Sequence, residues 1–227
     1  MYNNFSLIVT AGGESLRFGG KIKKQFYNLA GKPILFWTLD AFKNIIYQKN
    51  TILTLPNENF SSNCKFFYKI YPELTIVEGG KSRTHSVYNA LKRIKNKSDY
   101  IVIHDGVRPC VSKNIILSVI KKTTKYGAAI PVLPPSNSLK KISGNFIIKS
   151  IDRNSIFSVS TPQGFLLKEL KLFYKKIDIQ NNSFPDDSSI FELFNKKVAT
   201  VFDRSTNIKI TTKDDLIIAN AILKANK

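Results

Sequence analysis

The stretch SLIVTAGGESLRFGGKIKKQF, residues 6–26, decides the fold. Phe5–Thr10 is a continuous apolar run that ends at Ala11-Gly12-Gly13. Such a run, closed by glycine, reads as a strand buried on both faces. Glycines let the main chain come close to a ligand and take φ > 0. Arg17 and a cluster of lysines follow. A phosphate group requires backbone N–H donors in a concave loop together with fixed cations. Gly12 and Gly13 supply the approach, Arg17 a planar fork, and Lys23 or Lys24 a point charge. No Gly-Lys-Ser/Thr follows, so this is not a Walker A loop, and the G-x-G-x-x-G dinucleotide fingerprint is missing too.

Outward from this stretch, strand and helix patterns alternate. Pro33–Ile46 reads as a helix with proline in its first turn and Ile34, Trp37, Ala41 and Ile45 on one face. Thr51–Leu55 and Leu74–Val77 read as strands, the second closed by Gly79-Gly80. Ser82–Ile94 is helical, Tyr100–His104 is a buried strand stopping at Asp105, and Ser112–Lys125 is a helix with an N-cap serine. Ala128–Leu133 is a further strand. The expected fold class is α/β, a Rossmann-like, mostly parallel twisted sheet with helices on both faces. The pattern breaks over residues 134–153, where two β-like runs around Ser143-Gly144-Asn145 predict a projecting β-arm. Helices at Leu166–Lys176 and Ser189–Lys196 come next. Strands at Val198–Phe202 and Asn207–Thr211 precede a last helix opened by Thr212-Lys-Asp-Asp215. Residues 1–227 are expected to form one domain with this excursion.

Hydrophobic residues make up 43% of the 227 positions, enough to bury a core without disulfides. Cys64 and Cys110 are the only cysteines and suggest reduced thiols in a cytoplasm. No apolar run approaches the ~20 residues that span a bilayer, and no signal peptide is expected. The net charge of +19 fits either an enzyme for anionic substrates or a nucleic-acid binder. The lysines scatter over the whole length and the aromatics sit in apolar runs, which argues against specific nucleic-acid binding. Of 35 basic residues only six are arginines, and Arg17, Arg83, Arg108 and Arg153 sit in loops or helix starts.

Ligands of open α/β sheets lie outside the carboxyl ends of the strands. The loops to inspect are therefore Ala11–Gln25, Gly79–Ser86, Asp105–Cys110, Thr161–Gly164 and the region of Lys209. Asp105 directly follows a buried strand and suits Mg²⁺ or a sugar hydroxyl, with Arg108 as a possible ion-pair partner. Ser82, Arg83 and Ser86 at a helix start either read a base edge or cap the helix. His104 reads as a packed strand-end residue, and His85 as neither base nor ligand. STPQGF (160–165) reads as a polar turn and FPDDSS (184–189) as an acidic N-cap. On an alternating strand Lys209 would point with Asn207 and Thr211 into a polar region.

In order, TAGGESLRFGGKIKKQF, GGKSRTHSV, HDGVRPCV, SIDRN, STPQGF, PDDSSIFE and TNIKITTKDDLIIA resemble the 2-C-methyl-D-erythritol 4-phosphate cytidylyltransferase family, from about Leu7 to Leu223. The resemblance implies transfer of CMP from CTP to a polyol phosphate, release of pyrophosphate, a Mg²⁺ cofactor and a homodimer joined through the β-arm. It implies that Ala11, Gly12 and Gly13 hold the triphosphate, that Arg17 and Lys24 stabilise the transition state, and that Gly80 and Ser86 read cytosine. Asp105 would contact the sugar region and the metal. Asp105, Arg108, Ser138, Arg153, Thr161 and Lys209 would place the acceptor, with Arg153 and Lys209 also catalytic and Ser138 and Arg153 coming from the partner's arm. Lys23 stands where the family commonly has proline, and PPSNSLK replaces a shorter Asp-Thr segment. The sister ribitol-5-phosphate cytidylyltransferases share these loops, and Asp152 before Arg153 favours the erythritol enzyme.

Overall fold

The computed structural model describes residues 1–13, 18–19, 22–94, 98–182 and 184–225. In chain order the elements are β1 (Phe5–Thr10), β2 (Asn28–Leu29), β3 (Lys32–Pro33), α1 (Ile34–Phe42), β4 (Thr51–Leu55), α2 (Phe60–Tyr68), β5 (Thr75–Glu78), α3 (Arg83–Leu91), β6 (Tyr100–Asp105) and α4 (Lys113–Tyr126). They continue with β7 (Ala128–Leu133), β8 (Leu139–Ser143), β9 (Phe146–Ile151), β10 (Ser158–Val159), β11 (Gln163–Leu166), α5 (Leu167–Lys176), α6 (Ser188–Leu193), β12 (Ala199–Phe202) and α7 (Asp214–Ala225).

The main sheet runs β5–β4–β1–β6–β11–β7, with β10 and β12 also paired to β7. β1 lies parallel to both β4 and β6, and β5 parallel to β4. Its side chains alternate between the two faces, as a strand demands. Leu7 and Val9 pack with α1 and α4, through Leu35, Leu39, Ile116 and Val119. Ile8 packs on the opposite face with Val87, Ala90, Leu170 and Phe191 of α3, α5 and α6. A third cluster seats α7 through Ala219 and Leu223 against Leu29, Ile34, Val107 and Ile210. The predicted N-cap of α4 forms, with Ser112 Oγ accepting from the Ile115 N–H at 3.4 Å, and Asp215 in the acidic first turn of α7 accepts the Thr211 and Thr212 N–H groups through Oδ2 at 2.7 and 2.8 Å. Among the described residues no helix is long and apolar enough to cross a membrane.

Two expectations are corrected, and one element had not been expected. α2 had no predicted counterpart, because FSSNCKFFY has a weak apolar stripe and only Phe67 is fully buried. STPQGF is not merely a turn: Gln163–Leu166 forms β11, wedged antiparallel between β6 and β7. Gly164 makes this fit possible, since a Cβ there would lie 2.1 Å from Thr123 Oγ1 on α4. Asn207–Thr211 is not a strand. Ile210 is fully buried and its N–H bonds the Val107 carbonyl at 2.9 Å, which pins the segment to the loop after β6 instead of a sheet edge.

The β8–β9 hairpin forms its own two-stranded sheet around Gly144, whose φ is 55°, with an irregularity between Lys141 and Ile142. Ile142, Phe146 and Ile147 are 61%, 77% and 66% exposed, so this arm buries little of its apolar surface within the chain.

Candidate active site

The rim where the parallel strands end is organised around one carboxylate. Asp105, at the end of β6, is buried, yet three cations reach it. Arg83 Nε donates to Oδ1 at 3.0 Å, Lys209 Nζ pairs with Oδ2 at 2.9 Å, and Arg108 Nε stands 3.5 Å from Oδ2. Burial opposes ionisation of this carboxyl, but Arg83, Lys209 and Arg108 outweigh it and hold the pKa well below the ordinary carboxylate value. The sequence supplies these charges from three separate segments, the start of α3, the end of β6 with the loop after it, and the stretch around Lys209, and only the fold brings them together.

Beneath Asp105 lies a neutral polar layer. His104 is fully buried, packs against Phe42 at a centroid distance of 5.1 Å, and has its pKa pushed down to about 3 by burial. Its Nε2 faces the Arg108 carbonyl at 3.3 Å and its Nδ1 the Thr161 hydroxyl at 2.9 Å. A neutral ring with its proton on Nε2 satisfies both contacts. The Thr161 hydroxyl also accepts from the Asp105 N–H at 3.1 Å. Thr161 is therefore turned inward, and it supports Asp105 from below. The expectation that His104 is a packed residue holds.

The first loop sits beside this cluster. A Cβ on Gly106 would lie 3.0 Å from Ala11 Cβ, so the loops after β1 and β6 touch. A Cβ on Gly12 would lie 3.1 Å from Gly79 Cα and 3.3 Å from Ser86 Oγ, so the loop after β5 closes the other side. Neither Gly12 nor Gly13 has positive φ; the glycine at Gly12 is required for close approach alone, which corrects the wider expectation. The Ala11 N–H is spent on β4, on the Thr54 carbonyl and hydroxyl at 3.1 and 3.2 Å. Free loop donors therefore fall to the Gly12 and Gly13 N–H groups, which take no partner among the described residues. Ser86 Oγ accepts from the Gly80 N–H at 3.0 Å and donates to the Ser82 carbonyl at 2.9 Å; Ser82 Oγ accepts from His85 N–H at 3.1 Å. Both serines shape the turn around Gly79-Gly80.

Lys24 opens a short 3-10 turn, Lys24–Phe26, directly after the first loop. Lys23 instead pairs with the exposed Glu58 at 2.9 Å. Arg17 lies outside the described residues. Ser138 and Arg153 flank the arm, just before β8 and just after β9. Arg153 is exposed, and its Nη1 reaches the Ser136 carbonyl at 3.2 Å. It lines a groove with Pro134, Pro135, Asn154 and Phe157.

Four residues take roles that the sequence reading did not give them. Gln25 is buried and its Nε2 donates to the Ala11 carbonyl at 2.7 Å, which fixes the first loop. Asn207 is buried; its Nδ2 donates to the Thr161 carbonyl at 2.9 Å while its carbonyl accepts from Arg108 Nη1 at 2.8 Å. Arg83 does not face outward to a base edge but bridges Asp105 and Asp187, and Asp187 is more than an N-cap. Capping at that helix falls to Asp186, whose Oδ1 accepts from the Ser189 N–H at 3.0 Å. The one available signal was the arginine itself, in a chain that uses lysine nearly everywhere else.

Arg83 Nη2 and Arg108 Nε are buried donors without a hydrogen-bond acceptor among the described residues. A glycine-lined loop, spare guanidinium donors and a surplus of cations at strand ends define an α/β fold built to hold polyanions, the architecture of nucleotidyltransferases. The sequence pattern of 2-C-methyl-D-erythritol 4-phosphate cytidylyltransferase matches residues 5–225. A relative of that name from Clostridium botulinum (strain Eklund 17B / Type B) is 40% identical over 221 residues, 96% of this chain and 98% of the relative. Another from Bacillus mycoides (strain KBAB4) is 32% identical, covering 98% and 99%. The crystal structure of 4-diphosphocytidyl-2C-methyl-D-erythritol synthase from Anaerococcus prevotii DSM 20548 superposes with a TM-score of 0.82 at 29% identity, covering 98% and 99% of the two chains. The chain belongs to the 2-C-methyl-D-erythritol 4-phosphate cytidylyltransferase family.

Proposed function

We propose that this enzyme transfers CMP from CTP to the phosphate of 2-C-methyl-D-erythritol 4-phosphate and releases pyrophosphate, a step of non-mevalonate isoprenoid precursor synthesis. The observation that carries the reading is the contact between the glycine-lined first loop and the Asp105 cluster. It gives two anionic substrates adjoining cationic seats. An oxygen of the acceptor phosphate attacks the α-phosphorus of CTP, and the bond to the β-phosphate breaks. The nucleophile is already ionised, so no general base is needed. His104, buried and neutral, is not offered as one. What the reaction requires is positioning and charge neutralisation.

Gly12 and Gly13 would present N–H groups to the triphosphate, with Ala11 setting the loop's path. Lys24 and Arg17 would take up charge developing on the α-phosphate and the leaving group. Gly80 and Ser86 would form the wall against the base. Lys209 and Arg108 would grip the acceptor phosphate, with Thr161 supporting Asp105 beneath them. Ser138 and Arg153 would close the acceptor pocket from a partner's arm, whose exposed Ile142, Phe146 and Ile147 suit a homodimer interface.

Among the described residues no three His, Cys, Asp or Glu side chains gather to hold a metal. A Mg²⁺ would be carried mainly by phosphate oxygens and water, with Asp105 as its protein contact. When bound, the ion would neutralise charge on the triphosphate. The name shared by the relatives favours erythritol over ribitol phosphate as acceptor. A cytoplasmic setting accords with the two unbridged thiols. The test is pyrophosphate release with CTP and Mg²⁺, comparing methylerythritol phosphate with ribitol 5-phosphate, and CTP with ATP, GTP and UTP. Turnover is expected with the first of each set; equal rates with ribitol phosphate or another nucleotide would overturn the assignment.

A further inference from the structure

The three cations on Asp105 are not equivalent. The Lys209 side chain is 37% exposed, and its Nζ pairs with Asp105 Oδ2 at 2.9 Å. Arg108 gives its second contact to a backbone carbonyl, that of Asn207. Arg83 alone is held by a second carboxylate from behind: Nη1 donates to Asp187 Oδ2 at 2.7 Å while Nε holds Asp105 Oδ1 at 3.0 Å. Asp187 is 1% exposed and is itself fixed. Tyr174 OH donates to its Oδ1 at 2.7 Å, and its N–H donates to Gln163 Oε1 at 3.0 Å. The Tyr174 ring is stacked with Tyr88 of α3, the helix that Arg83 opens, at 6.4 Å and 11°. Residues from α3, β11, α5 and the start of α6 thus immobilise one guanidinium.

A buried ion pair is a weak device for stability, because desolvation of two charges offsets most of their attraction. Its value here lies in what it does to Asp105. Cations sharing one carboxylate repel one another, so a permanently seated Arg83 weakens the hold of Asp105 on the exposed Lys209. We infer that Asp187 and Arg83 are positioning residues that occupy one oxygen of Asp105 and thereby keep Lys209 exchangeable, able to leave Asp105 for the acceptor phosphate. This rests on the proposed function. Without Arg83, Asp105 is a stronger competitor for Lys209, and the acceptor binds less well. The triphosphate seat at Gly12 and Gly13 does not draw on Lys209 and is spared.

The experiment compares the wild type with R83Q, R83K, D187N and the double variant R83Q/D187N, reading the KM for each substrate separately. R83Q is expected to raise the KM for methylerythritol phosphate about tenfold or more, with the KM for CTP within about threefold. R83K keeps the charge but not the two-handed fork, so its KM falls between. D187N raises the same constant alone but adds nothing in the R83Q background, because it acts through Arg83. R83Q strands the buried Asp187 carboxylate and is at risk of misfolding; the double variant removes both charges together and is the decisive one. An acceptor KM in R83Q/D187N within about twofold of wild type, or equal losses for both substrates, overturns the relay and leaves the functional reading standing. Absence of turnover in the wild type overturns both.

Discussion

The Asp105 rim and the β8–β9 arm are built on opposite terms. Asp105 is buried, and its counter-charges at Arg83, Arg108 and Lys209 come from the same chain. The arm leaves Phe146 77% exposed and gives Arg153 a single carbonyl partner, that of Ser136. A buried charge has no tolerance for a missing partner, so the chain must bring its own from distant segments. An exposed apolar hairpin carries no such requirement and can wait for another surface to cover it. Under the proposed function, the Asp105 rim would be completed within one chain, and the arm would be left to meet a second copy.

The largest effect falls on the nucleotide side. Lys24→Ala should cost on the order of 10²–10³ in turnover, about 3–4 kcal/mol, as does loss of one preorganised donor elsewhere. Pyrophosphate release checks it, and near-normal turnover would remove Lys24 from the reaction. The arm is tested by mixing two inactive variants. Arg153→Ala and Lys209→Ala chains, co-refolded or exchanged, should recover about a quarter of wild-type activity if each site takes Arg153 from its partner, because half of the dimers are mixed and one of their two sites is intact. No recovery would place Arg153 and Lys209 of one chain in the same site.

Acid should destabilise the fold through the buried rim. An unfolded histidine binds a proton below about 6.5, whereas folded His104 stays neutral until about 3. Its contribution is therefore complete above about pH 6.5 and is lost as pH falls through that window, reaching roughly 2 kcal/mol by pH 5. Asp105, held below the ordinary carboxylate value, adds a further loss only below about pH 4. Denaturant midpoints from pH 7.5 to 4.5, with NMR of the His104 ring, give the check; a ring that protonates near pH 6 refutes the burial argument. The smallest effect separates neighbouring lysines. Lys23 pairs with a 66% exposed Glu58, so Lys23→Ala should change stability by less than about 1 kcal/mol and turnover only a few-fold.

Much of this architecture was legible beforehand. The strands β1, β4, β6 and β7 follow from short apolar runs closed by Gly, Pro or Asp, and the arm from the turn at Gly144. Helix α2 was missed because its stripe is thin, and β11 because a polar segment is buried by long-range bonds such as Asp187 N–H to Gln163 Oε1. The family motifs marked Asp105, Arg108 and Lys209, and the sheet gathers them. They did not reveal that Gln25 ties the first loop or that Asn207 ties Arg108 to Thr161.

By itself the sequence determined the alternation of strands and helices, the glycine-lined basic loop after β1 and the excursion into an arm, because apolar period, glycine and charge are local properties of the chain. Only the tertiary structure decided that Arg83 faces inward and that Asp187, 104 positions away, is its second anchor. The physical reason is that a carboxylate and a guanidinium have no preferred spacing along a chain; their pairing exists only once the core has excluded water between them.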